Sequence, residues 1–175
     1  MNISVNEKTF IIDPIKKILV PTDLSELSLV GVRYALNLAK AIGAEATIYH
    51  VVDYETLTRY GQRSTASSSF QPPDHFFLQR YQTALSQFLK DYFSDFTTCV
   101  KVHEKVELGT PDKSIVELAS SEGYDLIVIS THGKAGLRMT LGSVTETVVR
   151  TASCPVLSIR PQEAQKATGK SAAAI

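Results

Sequence analysis

Asp125–Arg150, DLIVISTHGKAGLRMTLGSVTETVVR, is the stretch that decides the fold. It opens with a short apolar run, passes through a loop holding Gly133 and Gly142, and enters an amphipathic segment at Ser143. A strand that empties into glycine-rich backbone and a fresh helix start presents N–H groups to negative charge, so this order of elements reads as a phosphate cradle. Helix punctuation explains part of the same pattern. Any tight βα connection uses glycines, and Ser143 with Glu146 fits the capping box S-x-x-E. The remainder of the chain has to decide between the two.

Upstream, KILVP (17–21) is an apolar run ended by proline and reads as a buried strand. From Ser25 to Ile42, Leu29, Val32, Leu36 and Ala39 recur at helical spacing, and Gly43 supplies a C-cap. A second strand covers Ala46–Val52, followed by a long loop from Tyr54 to Pro73 with a serine cluster and Pro72-Pro73. Asp74 to Phe93 predicts a helix whose stripe of Phe77, Tyr81, Ala84, Leu85, Phe88 and Leu89 reads as core. A third strand spans Val100–Leu108, and Gly109-Thr110-Pro111 opens a helix ending near Gly123, with Thr110 as cap candidate and Pro111 in the first turn. Leu126–Ile129, Ser143–Thr151 and Pro155–Ile159 supply strand four, helix four and strand five.

Strands alternating with helices, each strand short and apolar on both faces, predict a five-stranded, doubly wound parallel sheet of the α/β class. Ligands of such sheets bind beyond the carboxyl ends of the strands where the winding reverses, which directs attention to the loops after strands one and four. Asp23 stands in the first of these, three residues before Glu26, and an N-cap role suffices to explain it. His132 stands in the second and reads as a hydrogen-bonding spacer, with Lys134 and Arg138 nearby as possible phosphate neutralisers. His50 and His103 fall within strands and read as packing residues, and Cys154 as a small hydrophobe.

Composition narrows the class further. At 175 residues the chain fits a single domain, and 18 basic residues balance 18 acidic ones without a dense basic run, so neither nucleic acid nor an anionic membrane is an expected partner. The two cysteines, Cys99 and Cys154, form no metal-binding spacing, and the N-terminus lacks a signal-peptide pattern; a cytoplasmic protein is expected. No Ser-His-Asp or Cys-His set and no paired carboxylates are legible, so no catalytic residue is assigned.

Three phosphate readers fail directly: G-x-x-x-x-G-K-[ST] is absent, no G-x-G-x-x-G follows the first strand, and the acid cluster of a phosphoacceptor domain is missing. The residues resemble a different family. KILVPTDLSE at 17–26, HVVD at 50–53, GTPDKSIVELA at 109–119, and STHGKAG followed by LGSVTETVVRTASCPVLSIR resemble the universal stress protein family from Lys16 to Arg160. The resemblance makes residues 1–15 an extension, 16–160 the domain and 161–175 a disordered tail.

The resemblance implies a flavodoxin-like fold of strand order 3-2-1-4-5, with ATP and Mg2+ as cofactors, adenine nucleotide as partner, and a homodimer through strand five, Pro155 to Ile159. Pro21, Thr22 and Asp23 would line the nucleoside, the Val51 backbone would meet the adenine edge, and Ile129 and Ser130 would border ring and ribose. His132 and Gly133 would face the phosphates, which the backbone of Gly142, Ser143, Val144 and Thr145 and the Ser143 hydroxyl would hold. Here the family pattern G-x2-G-x9-G-[ST] becomes S-x2-G-x8-G-S, with Ser130 at the first position and eight residues, Lys134–Leu141, in the spacer. The leading expectation is a nucleotide-dependent stress regulator, not an enzyme. The shortened spacer keeps a second one open: a dimeric interaction module that binds no nucleotide and recruits a protein partner.

Overall fold

A computed structural model describes residues 13–54, 74–131 and 141–160. In chain order the elements are β1 (Lys17–Pro21), α1 (Ser28–Ile42), β2 (Glu45–Asp53), α2 (Asp74–Phe93), β3 (Val102–Gly109), α3 (Pro111–Ser121), β4 (Leu126–Ser130), α4 (Ser143–Thr151) and β5 (Val156–Ile159). The strands form one parallel sheet in the order β3-β2-β1-β4-β5, the flavodoxin-like arrangement that the resemblance implied.

Strand periodicity divides the core between the two faces of the sheet. Ile18, Val20, Ile48 and Val128 point to one face, where they meet Val32, Leu36 and Ala39 of α1 and Leu85, Phe88, Leu89 and Phe93 of α2. Leu19, Tyr49, Ile127 and Ile129 point to the other, against Ile115, Leu118 and Ala119 of α3 and Val148 of α4. Of the stripe expected on α2, Leu85, Phe88 and Leu89 are core, Phe77 and Tyr81 are half-buried outside it, and Ala84 is exposed. Cys154 packs at the border of the second cluster, as a small hydrophobe would.

Several boundaries move for identifiable reasons. α1 begins at Ser28 instead of Ser25, because residues 22–27 form a separate hydrogen-bonded turn in which Leu24 adopts φ 60°. Gly43 caps α1 at φ 72°, a conformation glycine adopts without steric cost. β5 starts at Val156, since Pro155 has no N–H for the ladder, yet its carbonyl still accepts Ile127 N at 3.0 Å. Ser143 is the first residue of α4 and Gly142 its N-cap, with no side-chain cap bond, so the expected capping box does not form. Asp23 is not the N-cap of α1 either, and His103 is exposed beside Glu45 instead of packed. The expected loop at 55–73, the extension before Asp13 and the tail after Arg160 lie outside the described residues. No described helix is long and apolar enough to cross a membrane.

Candidate functional site

β1 and β4 pair at the centre of the sheet, Ile18 with Leu126 and Leu19 with Ile127. Beyond this pairing β1 turns into α1 on one face, while β4 leads towards α4 on the other. The separation opens a cleft of about 260 Å3 at the winding reversal. Ten sequence-assigned residues line it together: Pro21, Thr22, Asp23, Val51, Ile129, Ser130, Gly142, Ser143, Val144 and Thr145. His132 and Gly133, with Lys134 and Arg138, lie outside the described residues.

Four further lining residues escaped the sequence reading: Ser28, Tyr49, Pro111 and Ile115. Tyr49 precedes Val51 by two on β2 and so shares its face, and Ile115 follows Pro111 by four on α3; the signals were the two periodicities. Tyr49 is fully buried and its hydroxyl donates to Glu107 Oε2 at 2.6 Å. Burial, then the adjacent carboxylate, push its pKa far above the ordinary value, so it remains a neutral wall of the cleft.

The β1–α1 turn forms the nucleoside side, and its polar groups bond mainly to one another. Thr22 and Ser28 hydroxyls lie 2.8 Å apart, Ser28 donates to Ser25 O at 2.7 Å, and Leu24 N donates to Thr22 Oγ1 at 3.1 Å. Asp23 Oδ1 accepts both Ser25 N and Ser25 Oγ, at 3.1 and 2.5 Å. One carboxylate oxygen thus organises the turn, while the residue itself lines the cleft.

Across from this turn, Val51 offers backbone. Along β2 the main chain alternates partners: Glu45 N donates to Lys16 O and Tyr49 O accepts Thr22 N on the β1 side, whereas Ala46 N donates to Lys101 O on the β3 side. Val51 therefore directs its N–H and C=O towards β1, which has already ended at Pro21. Neither group has a partner among the described residues. They form an adjacent donor and acceptor at the rim of an apolar slot.

Ser130 departs from glycine at little cost, because its side chain lies on the α1 side of the sheet. Its Oγ accepts Gly31 N at 3.2 Å, and a Cβ on Gly31 would collide with that oxygen. Gly31 provides the room that Ser130 occupies. The backbone role expected of Gly142 is corrected: its N–H is already donated to Thr131 O at 2.9 Å, closing the chain back onto β4. The Thr145 hydroxyl is likewise committed, to Ser130 O at 2.9 Å. What remains at the start of α4 is the N–H groups of Ser143, Val144 and Thr145, which meet no acceptor among the described residues, and the exposed Ser143 hydroxyl. Among the described residues no cluster of three His, Cys, Asp or Glu could hold a metal, and Asp23 is the one carboxylate lining the cleft.

Over residues 14–160 the sequence matches the family model of the universal stress protein family. The chain belongs to the universal stress protein family. It is 37% identical over 146 residues to universal stress protein MJ0531 of Methanocaldococcus jannaschii, which covers 83% of this chain and 82% of that one. The solved structure of MJ0577 from the same organism is 28% identical and superposes with a TM-score of 0.64 over 85% of this chain and 98% of that one. A universal stress protein from Archaeoglobus fulgidus in complex with dAMP shares the fold at 20% identity, with a TM-score of 0.56 over 83% and 98% of the two chains.

Proposed function

We propose that this universal stress protein binds an adenine nucleotide, ATP with Mg2+, in the cleft between β1 and β4, and acts as a nucleotide-dependent regulator. One observation carries the reading: the three N–H groups that open α4 and the N–H and C=O of Val51 line the same cleft without partners among the described residues. The first set suits a phosphate at the positive end of a helix dipole. The second suits the acceptor and donor edge of adenine, while Pro111, Ile115 and Ile129 supply the apolar surface that a base needs.

Asp23 accepts from the ribose hydroxyls in this reading. Bound ATP would bring the polyanion and its own Mg2+, which needs few protein ligands when phosphates and water fill its shell. The Archaeoglobus relative described above, which holds dAMP, lends support through its ligand class. Turnover is not part of the proposal, because Asp23 already organises its turn and, among the described residues, no second carboxylate lines the cleft to direct a water in line.

A homodimer through β5 completes the proposal, since among the described residues β5 pairs only with β4 and its other edge carries no strand. Sedimentation equilibrium at micromolar protein checks this: monomer alone would overturn the dimer. The non-nucleotide alternative draws on exposed Leu27, Val30 and Tyr34, which follow one side of α1 and fit a protein partner. Heat-denaturing the purified protein, assaying the supernatant for adenine nucleotide, and titrating the emptied protein with ATP and Mg2+ separates the two. The leading reading expects carried nucleotide or saturable binding. Neither, up to about 1 mM ATP, would sink it.

A further inference from the structure

His50 lies in the middle of β2, 5% exposed, with its ring against Tyr81 of α2 at a centroid distance of 5.2 Å. Its Nδ1 sits 2.8 Å from Thr22 O. A carbonyl oxygen only accepts, so Nδ1 carries the proton and donates. The partner matters because of what Thr22 O would otherwise do.

In a parallel ladder, Thr22 N donating to Tyr49 O at 2.9 Å is followed by Val51 N donating to Thr22 O, and then by Leu24 N donating to Val51 O. Neither later bond forms. The His50 imidazole takes Thr22 O, and Leu24 turns away at φ 60° with its N–H on Thr22 Oγ1 at 3.1 Å. Both backbone groups of Val51 are thereby without a partner among the described residues.

We infer that His50 is a positioning residue: by taking the Thr22 carbonyl it halts the β1–β2 ladder one step early and keeps the Val51 N–H and C=O free for the edge of a bound base. The inference rests on the adenine-nucleotide reading, which it deepens. It assigns His50 a function that simple packing would not require, because an apolar side chain of similar volume would pack against Tyr81 and leave Thr22 O to Val51. The strain of a leucine at positive φ fits the same picture, since a chain that continued the ladder would not need it.

Two substitutions test this. His50→Leu removes the donor at nearly constant volume, whereas His50→Asn retains a donor where Nδ1 lies. In the nucleotide-free protein, hydrogen exchange at the Val51 amide should slow at least tenfold in His50→Leu, as that N–H pairs with Thr22 O, and stay near wild type in His50→Asn. ATP affinity should fall at least tenfold in His50→Leu with inorganic pyrophosphate affinity unchanged, and His50→Asn should recover most of it. Unaltered Val51 exchange in His50→Leu would overturn the inference, as would equal loss of ATP and pyrophosphate binding. If His50→Leu does not fold, His50→Asn decides: tenfold-slowed Val51 exchange or lost ATP binding there refutes the donor role, and wild-type values in both support it. A wild-type protein that binds no nucleotide would defeat the nucleotide reading, while the Val51 exchange experiment would still test His50.

Discussion

At the N-terminal end of the β1–β4 pair, the Asp125 carboxylate stitches the strands together, accepting Lys16 N at 2.8 Å and Lys17 N at 2.9 Å while its own N–H returns to Lys17 O at 3.0 Å. At the C-terminal end the neighbouring strands diverge, and Val51 and the start of α4 keep backbone groups without partners among the described residues. A backbone polar group left unpaired in a partly buried place costs about 1–3 kcal/mol. One end therefore spends its polar groups on folding, and the other withholds them. That asymmetry, more than the glycines themselves, marks the ligand end of the sheet.

The largest expected effect tests whether Ser130 truly faces away from the open end. Gly31→Ala places a methyl group onto Ser130 Oγ and 3.1 Å from Ser130 N. Alanine in a helix interior ordinarily gains about 1 kcal/mol over glycine. Here overpacking should reverse the sign and cost about 2 kcal/mol. Adding Ser130→Gly should restore most of the loss, a coupling that urea denaturation of both single variants and the double variant would read. A neutral Gly31→Ala would mean that the Ser130 hydroxyl belongs to the cleft.

Gly142 comes next. Its φ of −59° suits any residue, so space and not backbone conformation decides. An added Cβ lies 3.1 Å from Thr131 O, the carbonyl that its own N–H holds. Gly142→Ala should cost about 1 kcal/mol and Gly142→Val about 2 kcal/mol. Valine should also weaken ATP binding about tenfold by displacing the first turn of α4. Equal stability and affinity for valine and glycine would show that this closure does not position the amides.

Legibility in the sequence follows the same division. The alternation of apolar runs gave every described strand and helix within a few residues, because burial on both faces of a parallel sheet imposes a pattern that local signals can carry. Ten of the fourteen described cleft residues were legible as a set through the family resemblance. Their individual duties were not, because each depends on which partner wins a hydrogen bond. The capping box at Ser143 lost when Gly142 became the N-cap, the Gly142 amide went to Thr131, and the Ser130 side chain went to Gly31. His50 read as packing since nothing local marks a histidine whose acceptor lies 28 residues earlier in sequence.

A smaller effect sharpens the nucleoside side. Asp23→Asn retains an acceptor oxygen for Ser25, so stability should stay within about 0.5 kcal/mol of wild type. The ribose hydroxyls lose a charged acceptor, and ATP affinity should fall about tenfold. Discrimination against 2′-deoxy-ATP should fall with it. Calorimetric titration of both nucleotides reads the pair of effects. Equal affinity in wild type and variant would remove Asp23 from the ribose and leave it only its turn.

The smallest effect belongs to the closed end, and pH reveals it. Hydrogen bonds from the backbone N–H of Lys16, then Lys17, hold the Asp125 pKa below its ordinary value of 3.8. A carboxyl whose pKa is lower folded than unfolded contributes stability above the unfolded value and loses it as pH falls through the folded value. Asp125→Ala should thus cost about 1 kcal/mol near pH 7, kept small by solvent at this edge of the sheet. Below the ordinary value of 3.8 the gap between wild type and variant should shrink as the wild-type carboxylate takes up a proton and loses the charge that the variant never had. Urea denaturation across that range measures it, with ATP binding by Asp125→Ala expected at the wild-type level because the carboxylate stands at the far end of the strands from the cleft. A gap that stays constant into acid would assign the stabilisation to something other than the carboxylate charge, and a loss of ATP binding would join the two ends that the structure separates.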